Sequence, residues 1–212
     1  MVKRPLLVLA CTFSVLAVGC GDPTIPNRQN GYGFDDGFGG VFHWPAHSLP
    51  VRFYADERGP MRTLVAQGIA AWEGQFLYGE VRGTLWADSN TADVVVRWGG
   101  AVPADVPPDN GSPVFACSGL TQIVIDSASN AVERPIRIAL NSLGTLDTPE
   151  QIVACYLRVA THELGHSLGL LQHSADDSDL MAAQPLVRWP SLRDRLTAEV
   201  LYHTTPTIGA PR

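Results

Sequence analysis

Residues 162–173 carry the pattern His-Glu-x-x-His-x-x-Gly-x-x-His, in which side chains able to bind a metal recur at fixed spacing. His162 and His166 are four residues apart, so on a helix both imidazoles project from one face, one turn apart. Two imidazoles placed in this way can reach one zinc ion at about 2.0–2.1 Å. Glu163 is adjacent to the first histidine and is placed to act as a base toward a water molecule rather than as a ligand.

His173 can join the same site only if the helix ends before it. A continuing helix would carry His173 about 10.5 Å beyond His166 at 1.5 Å per residue. Gly169 lies between them, and glycine readily adopts the left-handed conformation that ends helices and turns the chain back. We therefore predict one zinc ion held by His162, His166 and His173. Gly169 would form the turn that ends the helix, and Glu163 would be the catalytic general base.

A helix that leads into this motif is well marked at its start. Thr148 is a suitable N-cap, Pro149 suits the first helical position, and Gln151 completes a capping box. Hydrophobic periodicity predicts strands at 49–54, 81–86, 93–98, 121–126 and 134–141, a helix from Pro60 to Phe76, and a last helix from about Ser191. This order of elements indicates an α/β domain.

The first nineteen residues predict an export signal. Lys3 and Arg4 precede a thirteen-residue apolar run over 6–18, which is shorter than the roughly 20 residues that a membrane-spanning helix needs. Residues 17–20, Ala-Val-Gly-Cys, resemble a bacterial lipobox, in which Cys20 becomes the lipidated first residue of the mature chain. We therefore expect an exported lipoprotein of a bacterial cell envelope, anchored in a membrane through Cys20. The alternative is an ordinary cleaved signal and a secreted or periplasmic protein.

Two cysteines remain for the folded domain once the signal is removed. Cys11 leaves with the signal, and Cys20 would carry the lipid. In an oxidising compartment, Cys117 and Cys155 can form a disulfide. The alternative is a pair of buried free thiols.

Charge and composition narrow the choice of partners. The chain has 15 basic and 21 acidic residues and a formal net charge of −6. Because its lysines and arginines are scattered and form no basic patch, the sequence does not indicate a nucleic-acid binder. Nothing in it implies an oligomer.

The extended histidine motif resembles that of the metzincin zinc endopeptidases. Ser174, directly after the third histidine, is similar to the matrixin branch, and Met181 matches the matrixin spacing to the Met-turn. The resemblance implies a twisted five-stranded mixed sheet with three helices, and a methionine that lies beneath the metal without binding it. It also implies that a substrate backbone pairs with the edge strand of the sheet, which we assign to 121–126.

By this resemblance the protein is a zinc endopeptidase that hydrolyses peptide bonds in a protein or peptide substrate with one catalytic zinc. Animal matrixins hold a second, structural zinc through histidines in the loop after the third strand. Residues 99–125 contain no histidine, so we expect no second zinc of that type. The alternative function is a non-catalytic surface module that keeps the zinc site for stability or binding, although the intact Glu163 favours an enzyme.

The predicted organisation along the chain has four parts. Residues 1–19 are the export signal, and the Gly-rich residues 20–40 are a tether. Residues 41–203 are the metzincin-like catalytic domain, and 204–212 are a flexible tail.

Overall fold

The computed structural model describes residues 31–99, 117–142 and 149–210. The predicted export signal, the lipobox cysteine and the Thr148 cap lie outside these residues. The elements follow the chain in this order: β1 (Val51–Ala55), α1 (Met61–Glu73), β2 (Gly83–Trp86), β3 (Val94–Trp98), β4 (Cys117–Gln122), β5 (Ile125–Asp126), β6 (Ala131–Val132), β7 (Ile136–Ser142), α2 (Pro149–Ser167) and α3 (Leu192–Tyr202). Among the described residues, no helix is long and apolar enough to span a membrane.

The main sheet has five strands in the order β2-β1-β3-β7-β4. The first four are parallel to their neighbours, and β4 is antiparallel to β7 at one edge. The predicted fold class, a mixed five-stranded sheet with three helices, is confirmed.

The edge strand differs from the predicted strand 121–126. β4 begins earlier, at Cys117, and leaves the sheet after Gln122, while β5 pairs with β6 in a separate hairpin. The hairpin turns because the Asp126 carboxylate accepts the backbone N–H groups of Ala128 and Ser129, and Asn130 adopts a positive φ of 50°. The apolar alternation of 121–126 therefore spans two sheets rather than one strand.

Helices α1 and α2 pack against each other over the core. The apolar face predicted for α1 is buried, including Val65, Ile69 and Trp72. The Trp72 indole donates a hydrogen bond to the carbonyl of Thr161 in α2, at 2.8 Å. A Cβ atom at Gly68 would lie 2.6 Å from Leu164, so the two helices approach closely there. This packing fixes the position of the helix that carries the histidine motif.

Both ends of the described chain pack against the domain, contrary to the predicted boundaries. Phe34 packs against the core and accepts a hydrogen bond from the Leu171 backbone at 3.1 Å, although it belongs to the predicted tether 20–40. Ile208 is buried and donates to the carbonyl of Val41 at 2.9 Å, although it belongs to the predicted flexible tail 204–212. Single apolar residues in polar, Gly-rich segments anchor these ends, and composition alone does not reveal them.

Candidate metal centre

Helix α2 ends in a turn that brings the chain back over its own last residues. Gly169 has a φ of 110°, and a Cβ atom there would collide with the carbonyl of Phe42. Its N–H donates to the backbone carbonyl of His166, and the N–H of Leu170 donates to the backbone carbonyl of Gly165. This is the hydrogen-bond pattern of a Schellman motif. The structure therefore places a helix-terminating turn at Gly169.

This turn brings the three histidines together. The Nε2 atom of His166 lies 3.1 Å from Nε2 of His162 and 3.2 Å from Nε2 of His173. Nitrogens that bind one tetrahedral ion at about 2.0–2.1 Å lie about 3.3–3.4 Å apart, so the spacing fits a shared metal. His162 is buried, His166 is half-buried and His173 is exposed. The cluster thus runs from the interior to the surface, where solvent reaches it.

The opposite ring nitrogens of two histidines are held by backbone carbonyls. Nδ1 of His162 donates to Leu180 at 2.7 Å, and Nδ1 of His166 donates to Leu170 at 2.5 Å. A carbonyl can only accept a hydrogen bond, so Nδ1 carries the proton and Nε2 keeps its lone pair. Burial lowers the pKa of His162 to about 3 and that of His166 to about 4. Both imidazoles are therefore neutral at pH 7, as metal ligands must be.

Glu163 is buried on α2 beside these ligands. Its Oε2 atom accepts a hydrogen bond from the Thr121 hydroxyl at 2.6 Å. Burial raises the pKa of Glu163 to about 7, because the loss of solvation outweighs the hydrogen bond from Thr121. The sequence placed Thr121 in the edge strand predicted to pair with the substrate backbone but indicated no role for its side chain, because only the packing of β4 on α2 shows this contact.

Met181 lies fully buried against the metal-binding helix. A Cβ atom at Gly165 would be 2.5 Å from its sulfur, so the methionine packs directly on the turn of α2 that precedes His166. The backbone N–H of Ser174 donates to the Met181 carbonyl at 2.8 Å, which closes the loop from the last histidine to the methionine. The structure therefore packs Met181 against the helix that carries two of the three histidines.

The carboxylate of Asp194, in the first turn of α3, binds the backbone of the loop that contains Met181. It is fully buried and accepts the backbone N–H groups of Leu180 at 2.7 Å and Met181 at 3.2 Å. It also accepts the N–H of Ser191 at 2.7 Å and the hydroxyl of Tyr32 at 2.5 Å. Since the Leu180 carbonyl in turn accepts from His162, Asp194 indirectly orients the histidine cluster. Neither Asp194 nor Tyr32 was predicted in this role, since each acts through a contact distant in sequence.

A disulfide joins Cys117, the first residue of β4, to Cys155 in α2, with the two Cα atoms 6.1 Å apart. The edge strand and the metal-binding helix are therefore covalently linked. Of the two states that the sequence left open, the structure has the bonded one.

A comparison with known families identifies the chain. The matrixin family model matches residues 84–193, just over half of the 212 residues. This chain belongs to the matrixin family. The match includes the three histidines, Glu163 and Met181, whereas β1 and α1 precede it. No curated protein matches the chain.

The three imidazoles, and the spacing of their Nε2 atoms, fit a single zinc ion. Three imidazole nitrogens without a fourth protein ligand are the arrangement of catalytic zinc sites, which keep a position for water or substrate. Within the described ranges, these histidines are the one group of side chains arranged to hold a metal. The family and the cluster together support a zinc metalloprotease.

Proposed function

We propose that this protein is an exported zinc endopeptidase that cleaves peptide bonds in protein or peptide substrates. One observation carries the proposal: the imidazole nitrogens of three histidines lie close enough together to bind one zinc ion, and the buried carboxylate of Glu163 is adjacent in sequence to the first of them. A site that only stored or bound zinc would have no need for Glu163, whose burial costs solvation energy.

Each residue of the site has a separate role in the proposed hydrolysis. His162, His166 and His173 would hold the zinc through Nε2. When bound, zinc would polarise the scissile carbonyl and make a water molecule more acidic. Glu163 accepts the proton of the attacking water and passes it to the departing amine. The carbonyls behind the buried histidines keep each ring in the tautomer that binds metal.

The edge strand β4 offers a place for the substrate backbone. β4 pairs with β7 on one side only, and the other side has no strand partner within the described residues. An extended peptide can add to such an edge through main-chain hydrogen bonds. Gly119 and Thr121 of the same strand lie against Glu163, so a peptide on β4 would lie close to the base.

Export and membrane anchoring belong to the same proposal. The support is the signal-like sequence 1–19, which ends before Cys20, together with a disulfide of the kind that persists in oxidising compartments. Cys20→Ser should move the protein from the membrane fraction to the soluble fraction, as read by immunoblotting. A Cys20→Ser variant that stays in the membrane fraction would contradict anchoring through Cys20. A wild-type protein already in the soluble fraction would instead support the alternative of a secreted or periplasmic protein.

The test of activity uses the purified mature protein and a mixed peptide library. New peptide termini, read by mass spectrometry, should appear with zinc bound at one ion per chain and should vanish after treatment with a chelator. Restoring zinc should restore cleavage. A protein that carries one zinc and cleaves nothing across the library would instead be the non-catalytic binding module.

A further inference from the structure

The edge strand β4 is fastened to helix α2 at two places. The disulfide joins Cys117 to Cys155, and the Thr121 hydroxyl contacts Glu163. The two contacts are four residues apart on the strand and eight residues apart on the helix. Both spacings correspond to about 12–13 Å, given 3.3 Å per strand residue and 1.5 Å per helix residue. The strand therefore runs alongside the helix from the disulfide to the base.

The Thr121 hydroxyl makes its shorter contact with the carboxylate of Glu163. The hydroxyl lies 2.6 Å from Oε2 of Glu163 and 3.1 Å from the backbone carbonyl of the same residue. A separation of about 2.5–2.7 Å is typical of a hydroxyl that donates to a charged carboxylate. The single hydroxyl proton therefore goes mainly to Oε2, which fixes one of the two carboxylate oxygens.

Gly119 makes room for the other carboxylate oxygen. It lies two residues before Thr121 and so faces the same side of β4. A Cβ atom at this position would collide with the Cγ and Oε1 atoms of Glu163. Any larger residue at Gly119 would push the carboxylate out of its present orientation.

The backbone of Thr121 is itself well fixed. Thr121 pairs with Ile138 in the antiparallel ladder between β4 and β7. The disulfide prevents β4 from sliding along α2. A hydroxyl on this strand can therefore fix the orientation of Glu163, whose side chain could otherwise adopt several rotamers.

We propose that Thr121 is a positioning residue for peptide hydrolysis: its hydroxyl holds Oε2 of Glu163 and so fixes the orientation in which this carboxylate meets the reacting water. This inference rests on the proposed function and adds a residue to it. Loss of the hydroxyl would leave metal binding intact but would let the base leave its productive orientation. Small misplacements of a catalytic group can cost up to about a hundredfold in rate.

The first test compares Thr121→Val, which keeps the shape and lacks the hydroxyl, with Thr121→Ser, which keeps the hydroxyl. In the zinc-loaded protein, Thr121→Val should lower kcat about tenfold or more with little change in KM, whereas Thr121→Ser should retain about half of kcat. Zinc content should stay at one per chain in both. Thr84→Val, the same exchange in β2 at the far edge of the sheet, is the matched control and should leave kcat unchanged.

The second test needs no metal and no activity. Thermal unfolding of the metal-free protein is measured for Thr121→Val, Glu163→Ala and the double variant. If the hydroxyl bonds the carboxylate, Thr121→Val should lower the midpoint clearly in the wild type and by about half as much or less in Glu163→Ala. Equal shifts in both backgrounds would overturn the contact.

The outcomes separate this inference from the proposed function. If the wild type cleaves peptides and folded, zinc-loaded Thr121→Val keeps kcat within about twofold, the positioning role is wrong and the peptidase remains. If the zinc-loaded wild type cleaves nothing, the proposed function fails and the positioning role fails with it. Thr121→Ala provides the same comparison if the valine variant does not fold.

Discussion

The three clustered histidines and Glu163 lie within twelve consecutive residues, and this is why the sequence alone could predict that the histidines meet. Helical spacing places His162 and His166 on one face, and the positive φ of Gly169 returns the chain so that His173 meets them. All of these relations are local. The contact of Thr121 with Glu163 was not predicted, because it joins positions 42 residues apart.

At this scale, the prediction concerns His166. His166→Ala removes the imidazole whose Nε2 lies within 3.2 Å of both other ligand nitrogens. Zinc content after dialysis, measured by mass spectrometry of the metal, should fall well below one per chain, and peptide cleavage should fall with it.

The matched control is His47→Ala, which alters an exposed histidine outside the cluster. This variant should keep one zinc per chain. Full zinc occupancy in His166→Ala would contradict the assignment of the ligands.

Three elements distant in sequence support the site at the next scale. β4 contacts Glu163, α3 supplies Asp194 to the backbone of Leu180 and Met181, and the segment 31–40 supplies Tyr32. The sequence correctly predicted α3, because Ser191 and Asp194 mark its start as a capping box. It gave the edge strand the bounds 121–126 instead of Cys117–Gln122, and it assigned 31–40 to a tether. It could not predict how they meet, since side-chain contacts across such separations depend on the assembled fold.

The role of the N-terminal segment is tested by Tyr32→Phe. This change removes one of four donors to a buried carboxylate, which should lower the free energy of unfolding by about 1–3 kcal/mol. Because Asp194 fixes the backbone that holds His162, zinc affinity measured by competition with a chelator should also decrease.

The control is Tyr78→Phe at a tyrosine that is 65% exposed, and it should change neither property. Unaltered unfolding and zinc affinity in Tyr32→Phe would show that the hydrogen bond between Tyr32 and Asp194 does not support the site.

At the scale of the domain, both ends of the described residues pack against the fold, and a disulfide joins the edge strand to the helix that carries His162 and His166. Phe34 and Ile208 attach the ends of the described chain, and both lie outside the predicted domain 41–203. The segments that contain them resemble linkers in composition, so only the packing of these two residues shows that the segments belong to the domain. The disulfide between Cys117 and Cys155 spans 38 residues, including β4 to β7 and the start of α2.

The contribution of this disulfide follows from the size of the loop it closes. For a separation of 38 residues, the loop-entropy relation gives about 3–4 kcal/mol of stabilisation. Replacing both cysteines by alanine should lower the free energy of unfolding by about that amount in a denaturant titration. The reduced wild type should behave like this variant. If reduction leaves the unfolding midpoint unchanged, the bridge does not stabilise the mature protein.

The central claim, a peptidase whose base is Glu163, is tested most directly by Glu163→Gln. Glutamine keeps the size of the side chain but cannot accept the proton. Because Glu163 is not a ligand, the variant should retain one zinc per chain, and its peptide cleavage should fall about 10²–10⁴-fold. Cleavage at the wild-type rate by a fully zinc-loaded Glu163→Gln variant would contradict the account.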